Sequence, residues 1–183
     1  MVLASPPSSL TRQEQGPCVK VADRSARSRV LVLGVGNVLY RDEGVGIAAA
    51  ARLAARELPG VEVLDGGTLG LALLCEVEGR DDLLLLDAVA GSGKPPGSVI
   101  VLGPEDVEKG LRVCMSAHQL GVSELLATAA LTGKAPERVA AVAMVPASLD
   151  LGLGLSAVAD AALGSMVERA VDVLEGWGVA TSA

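Results

Sequence analysis

Asp82-Leu83-Leu84-Leu85-Leu86-Asp87 is a strand-length run that is apolar at every interior position. A strand with one wet face alternates apolar and polar residues, because successive side chains point to opposite faces. Four consecutive leucines therefore call for cover on both faces, as in the middle of a mostly parallel sheet. Working outward, Arg29 to Gly34 (RVLVLG), Val61 to Leu64, Ser98 to Leu102 and Arg138 to Val145 read as four further strands. Helical spacing fills the intervals. Glu43 to Leu58 is stopped by Pro59-Gly60, Leu69 to Glu78 follows the second strand, and Gln119 to Leu131 is closed by Gly133. Ser156 to Glu175 forms the last helix, and Pro104 to Gly110 has room for one or two helical turns. This alternation predicts an α/β fold: a single three-layer domain with a twisted, mostly parallel five-stranded sheet flanked by helices on both faces. The domain spans 29–179, between a flexible N-terminal extension (1–28) and a short C-terminal tail (180–183).

The 183 residues suit one domain. Half of them are hydrophobic, yet there is no Phe, one Trp (Trp177) and one Tyr (Tyr40), so the core must be aliphatic. The net charge of −7, with Lys and Arg scattered, argues against nucleic acid and against anionic membranes. A protein partner with a basic or neutral face stays compatible. Cys18, Cys75 and Cys114 form no CxxC pair, which disfavours a zinc ribbon, a dithiol redox site or a disulfide framework. The expectation is a cytoplasmic protein. Residues 1–28 lack the apolar core of a signal peptide. Val139 to Ala159 is apolar but interrupted by Pro146, Asp150, Gly152 and Gly154, so it reads as strand, loop and helix start rather than as a membrane span.

Three motifs imitate other chemistries. GVGNVL after the first strand resembles a dinucleotide fingerprint, with Asp65 standing in for the ribose-binding acid, but Leu39 replaces the third glycine. Asp42 and Glu43 also sit where a pyrophosphate would need a positive helix terminus. AVAGSGKP resembles a phosphate loop, but Ala88 and Pro95 stand where a glycine and a hydroxyl residue are required. Nucleotide binding is not expected. Cys114 and Ser116 lie near His118, so a cysteine peptidase using Cys114 and His118 is an alternative; no GxSxG elbow supports a serine nucleophile.

In a parallel sheet, sites form just beyond the carboxyl ends of the strands. The loops Asn37 to Glu43, Asp65 to Thr68 and Asp87 onward lie at that edge. Glu43 alone is explained as an acid at a helix start, worth about 0.3–1 kcal/mol. Asp87 alone is explained as a turn residue, and His118, the only histidine, as a structural residue in a loop before a helix. Jointly they place two carboxylates and one imidazole at one sheet edge. That donor set, completed by water, suits a divalent transition metal with open positions rather than a closed structural zinc site.

GVGNVLYRDEGVG (Gly34 to Gly46), LDGGTLG (Leu64 to Gly70), LLLLDAV (Leu83 to Val89) and SAHQLGVSELL (Ser116 to Leu126) resemble the hydrogenase maturation endopeptidases. VPASLDLGLGLS (Val145 to Ser156) is similar to them as well. The resemblance runs in order from Arg29 to Val179 and leaves out the first 28 residues. It implies an endopeptidase, often grouped as aspartic-type, that removes the C-terminal extension of a nickel–iron hydrogenase large-subunit precursor after nickel insertion. It also implies that Glu43, Asp87 and His118 are the metal-binding and catalytic positions, with nickel brought by the precursor. Whether the metal activates water or only anchors the substrate stays open, as does the role of Asp65 between an outer acid and a turn residue. Two other classes are kept as alternatives: a nickel-sensing assembly chaperone that cuts nothing, and, against the motif evidence above, a nucleotide-binding regulatory module.

Overall fold

The computed structural model describes residues 28–103 and 117–181; for 117–120 only the backbone course is described. The strands are β1 (Val30–Val35), β2 (Val61–Gly67), β3 (Asp82–Ala88), β4 (Val99–Leu102) and β5 (Arg138–Met144), and the α-helices are α1 (Val45–Ala54), α2 (Leu74–Val77), α3 (Ala117–Leu131) and α4 (Ala157–Gly176). Two 3-10 turns, Arg41–Gly44 and Gly70–Leu73, lead into α1 and α2. The sheet order is β2-β1-β3-β5-β4. β1 pairs in parallel with β2 and β3, β3 pairs in parallel with β5, and β4 runs antiparallel to β5.

The leucine run explains the layering. All seven residues of β3 are buried. Leu84 and Leu86, with Val30 and Val32 of β1, pack beneath Leu53 of α1 and Leu163, Met166 and Leu174 of α4. Leu83 and Leu85, with Leu31 and Leu33, pack against Val77 of α2 and Val122 and Leu125 of α3. Alternate residues of one strand thus feed two cores. Helices on opposite faces are what right-handed crossovers require when the chain runs first one way from β1 and then the other.

β4 is antiparallel for a local reason. A parallel return needs a crossover of a dozen or more residues, usually helical. The segment between β3 and β4 carries Pro95-Pro96 and three glycines at positive φ, Gly91, Gly93 and Gly97, which favour turns over a helix. The chain therefore reverses at the carboxyl edge and runs back along β5, with the Gly97 N–H donating to the Val145 carbonyl.

Several boundaries depart from the sequence expectation. The first helix starts at Val45 rather than Glu43, because Arg41–Gly44 winds more tightly as a 3-10 turn, and it ends at Ala54, ahead of Glu57 at φ 51°. Leu69 to Glu78 likewise divides into a 3-10 turn and one α-helical turn. Gly70, at φ +49°, lies so near α3 that a Cβ would sit 3.3 Å from the Gly121 Cα. α3 begins at Ala117, so His118 lies in its first helical turn rather than in a loop before it; alanine at 117 is the residue most compatible with that extension. Pro104 to Gly110, Cys114 and Ser116 lie outside the described residues. The apolar stretch from Val139 resolves into β5, a loop and the start of α4. Among the described residues, no helix is long and apolar enough to cross a membrane. Buried Arg80 donates through Nη1 to the Ser28 carbonyl and pairs with Glu62 at 2.6 Å, so the bonded domain reaches one residue before Arg29.

One contact sets how close α1 sits to the sheet. A Cβ on Gly46 would lie 2.1 Å from the Leu86 carbonyl oxygen and 2.4 Å from that of Val35. Both obstacles are backbone, so neither can swing aside. Gly46→Ala should therefore push α1 off the β1–β3 seam and cost about 2–3 kcal/mol or more. A denaturant titration checks this; a midpoint equal to wild type would contradict it.

Candidate active site

The chain leaves β1 toward β2 on one side and later returns to form β3 on the other. Loops following adjacent strands diverge at such a switch point and open a crevice at the carboxyl edge. Glu43 lies on the segment after β1, and Asp87 is the penultimate residue of β3. The structure therefore brings these two carboxylate residues to one seam, 44 positions apart by their numbering (87 minus 43).

Their backbones are closely constrained. The Glu43 N–H donates to the Tyr40 carbonyl at 3.0 Å. Gly36, at φ +136°, passes so near that a Cβ would lie 1.9 Å from the Glu43 carbonyl oxygen. Only glycine fits that approach. The 3-10 turn carrying Glu43 packs against β3. Glu43 is partly buried, whereas Asp87 is 9% exposed. Asp87 Oδ1 accepts a hydrogen bond from the Ala88 N–H at 2.7 Å, which orients the carboxylate.

His118 occupies the first turn of α3, and its side chain lies outside the described residues. The backbone places this turn at the same sheet edge: α3 leads into β5, parallel to β3, and Gly121 abuts Gly70 in the segment after β2. Among the described residues, no three His, Cys, Asp or Glu side chains are grouped so as to hold a metal ion. The described part of the expected trio is thus two oxygen donors, with the imidazole still to be added. Asp65 Oδ1 accepts from the Gly67 N–H at 2.9 Å, the local bond of a turn-forming aspartate.

The residue that sequence reasoning undervalued is Asp42, read only as a carboxylate hostile to pyrophosphate. It is fully buried. Its Oδ2 accepts from the N–H groups of Ala147 (2.8 Å) and Ser148 (3.0 Å) and from Ser156 Oγ (2.8 Å), and its Oδ1 accepts from the Ser156 N–H (2.6 Å). Ser156 Oγ in turn accepts from the Ala159 N–H and caps α4. One carboxylate therefore clasps the segment after β1 to the segment after β5, one residue from Glu43. Burial pushes the Asp42 carboxyl up, but the bonds from Ser156, Ser148 and Ala147 outweigh it and hold it below its ordinary 3.8. The only signals in the sequence are its position after a strand and a serine before the last helix; neither reveals their contact.

The comparisons with known proteins agree with this architecture. The family model for hydrogenase maturation proteases (HycI) matches residues 47–173, a span that includes Asp87 and His118 and begins just after Glu43. The chain is 37% identical over 153 residues to the hydrogenase 2 maturation protease of Escherichia coli strain K12, covering 82% of this chain and 93% of that protein. It is 41% identical over 160 residues to the hydrogenase expression/formation protein HupD of Rhizobium leguminosarum bv. viciae, covering 85% and 78%. Among solved structures, it is similar to the hydrogenase maturating endopeptidase HybD from E. coli, with TM-score 0.77 and 34% identity over 82% of this chain and 94% of that one. The [NiFe] hydrogenase maturation protease HybD from Thermococcus kodakarensis aligns with TM-score 0.67 and 29% identity, over 79% and 98%.

Proposed function

This chain belongs to the hydrogenase maturation protease family, and we propose that it removes the C-terminal extension of a nickel–iron hydrogenase large-subunit precursor once nickel has been inserted. The supporting observation is the placement of Glu43 in the turn after β1 and of Asp87 at the end of the adjacent β3, at the edge where the first turn of α3 carries His118. Nickel enters as cargo of the substrate. Glu43, Asp87 and His118 each lend it a donor atom, so the bond to be cut is held at the crevice only in the loaded precursor.

The two carboxylates have different settings. Asp87 is the more enclosed and has one oxygen engaged by the Ala88 N–H, which suits it to hold position. Glu43 is less buried and suits the role of base toward the attacking water. Peptide hydrolysis then needs no covalent intermediate, in keeping with an aspartic-type peptidase. The chain acts in the cytoplasm in this reading, where the nickel-loaded precursor is its partner.

Incubating the purified protein with nickel-loaded precursor should release one C-terminal peptide, seen as a single mass loss of the precursor. An unchanged mass would favour the non-cutting assembly chaperone. Cys114→Ala and Ser116→Ala should each retain most of the processing rate. Complete inactivation by Cys114→Ala, with an unaltered melting curve, would move the assignment to a cysteine peptidase.

A further inference from the structure

The loop between β5 and α4 reads Leu149-Asp150-Leu151-Gly152-Leu153-Gly154, and its leucines face solvent. Leu151 is 75% exposed and Leu153 is 78% exposed, while Leu149 is also exposed. Beside it, Val38, Leu39 and Tyr40 of the segment after β1 are exposed too. Among the described residues, these two segments hold six of the eleven exposed large hydrophobic side chains. Scattered surface leucines need no explanation, but a concentration beside a crevice does.

The two segments form one surface. The Gly152 N–H donates to the Leu39 carbonyl at 2.8 Å, and the Arg41 N–H donates to the Gly152 carbonyl at 3.0 Å. Tyr40 and Gly152 form a parallel bridge. Ser148 Oγ bonds Asp150 at 2.8 Å, and Asp42 holds both ends of the loop through Ala147, Ser148 and Ser156. The leucines are therefore carried on a hydrogen-bonded backbone, which lowers the ordering cost of binding. The surface is continuous with the candidate site, because the Tyr40 carbonyl accepts the Glu43 N–H.

We propose that this leucine-displaying surface, Val38–Tyr40 with Leu149, Leu151 and Leu153, docks an apolar segment of the precursor polypeptide beside the bond to be cut. The proposal rests on the protease reading above and adds a recognition surface separate from the metal donors. The occupant is the precursor polypeptide because the surface is continuous with Glu43, where the proposed reaction takes its peptide substrate.

The test is a binding titration of labelled, nickel-loaded precursor against wild type and the triple variant L149S/L151S/L153S, together with cleavage kinetics. The triple variant should bind about tenfold more weakly or worse and raise KM in step, with kcat nearly unchanged. Leu131→Ser, at an 88% exposed position on the far end of α3, should change neither. Melting curves confirm that the variants fold, and L151S and L153S singly replace the triple if it does not. Equal binding by wild type and the serine variants overturns the docking surface, even if cleavage by wild type upholds the protease. Binding that depends on the leucines without any cleavage overturns the protease and keeps the surface. Failure of wild type to bind, or a leucine-dependent dimer in sedimentation, overturns it as well.

Discussion

Glu43→Gln, Asp87→Asn and His118→Ala should each leave the precursor tail uncut, lowering the processing rate by about 10²–10³-fold or more. That corresponds to about 3–4 kcal/mol in the barrier, the scale of losing one preorganised polar group at a reaction centre. The losses should not add across double variants if, as proposed, the three residues hold one ion and act as a unit. Melting temperature should change little for Glu43→Gln, since the residue is only partly buried and its backbone bonds to Tyr40 remain. Asp87→Asn keeps the oxygen that accepts from the Ala88 N–H, so it too should fold. Gel-shift or mass measurement of the precursor reads the activity, and calorimetry reads the fold. Substantial processing by any of the three would remove that residue from the site.

Asp42 is expected to behave in the opposite way, through stability first. Asp42→Ala removes a buried carboxylate and leaves three backbone N–H groups and one hydroxyl without their acceptor. Breaking a buried charged network of this kind costs about 3–5 kcal/mol, a large part of the stability of a domain this size. Denaturant unfolding should show that loss, and a variant within about 1 kcal/mol of wild type would contradict the clasp. The pH dependence has a definite sign. The Asp42 carboxyl is held below its ordinary 3.8 in the folded chain, so its contribution is complete above that value. It is lost as pH falls below 3.8 toward the lower folded-state value. Asp42→Asn should flatten that acid limb and leave the stability profile above it parallel to wild type.

How far the sequence was legible follows from the range of the interactions. DLLLLD announced a strand covered on both faces because burial is written into each residue, and β3 is buried throughout. The carboxyl-edge position of Glu43 and Asp87 followed from strand direction, which the alternation of strands and helices implies. Asp42 was not legible because its partners lie 105 to 114 residues away and only the fold brings them to it. The tight turn before α1 escaped for the same reason. Helical spacing from Glu43 onward was real, but the backbone bonds of Arg41 to Gly152 and of Asp42 to Ser148 hold Arg41–Gly44 in a 3-10 turn. The polar stretch before His118 reads as a loop ahead of a helix beginning at Gln119, yet helix geometry reaches back to Ala117. The exposed leucines after β5 were also opaque. The sequence reads Leu149 to Leu153 only as part of a loop after a strand, and their display rests on Gly152 pairing with Leu39 and Arg41, which the fold alone brings together.

In the proposed reaction, nickel carried by the precursor completes the site. The direct measurement is the rate of C-terminal tail release from one precursor preparation, divided into nickel-free and nickel-loaded halves and mixed with the same purified protein. Release is expected from the loaded half only, with none when Glu43→Gln replaces wild type. Equal release from the nickel-free half would contradict it.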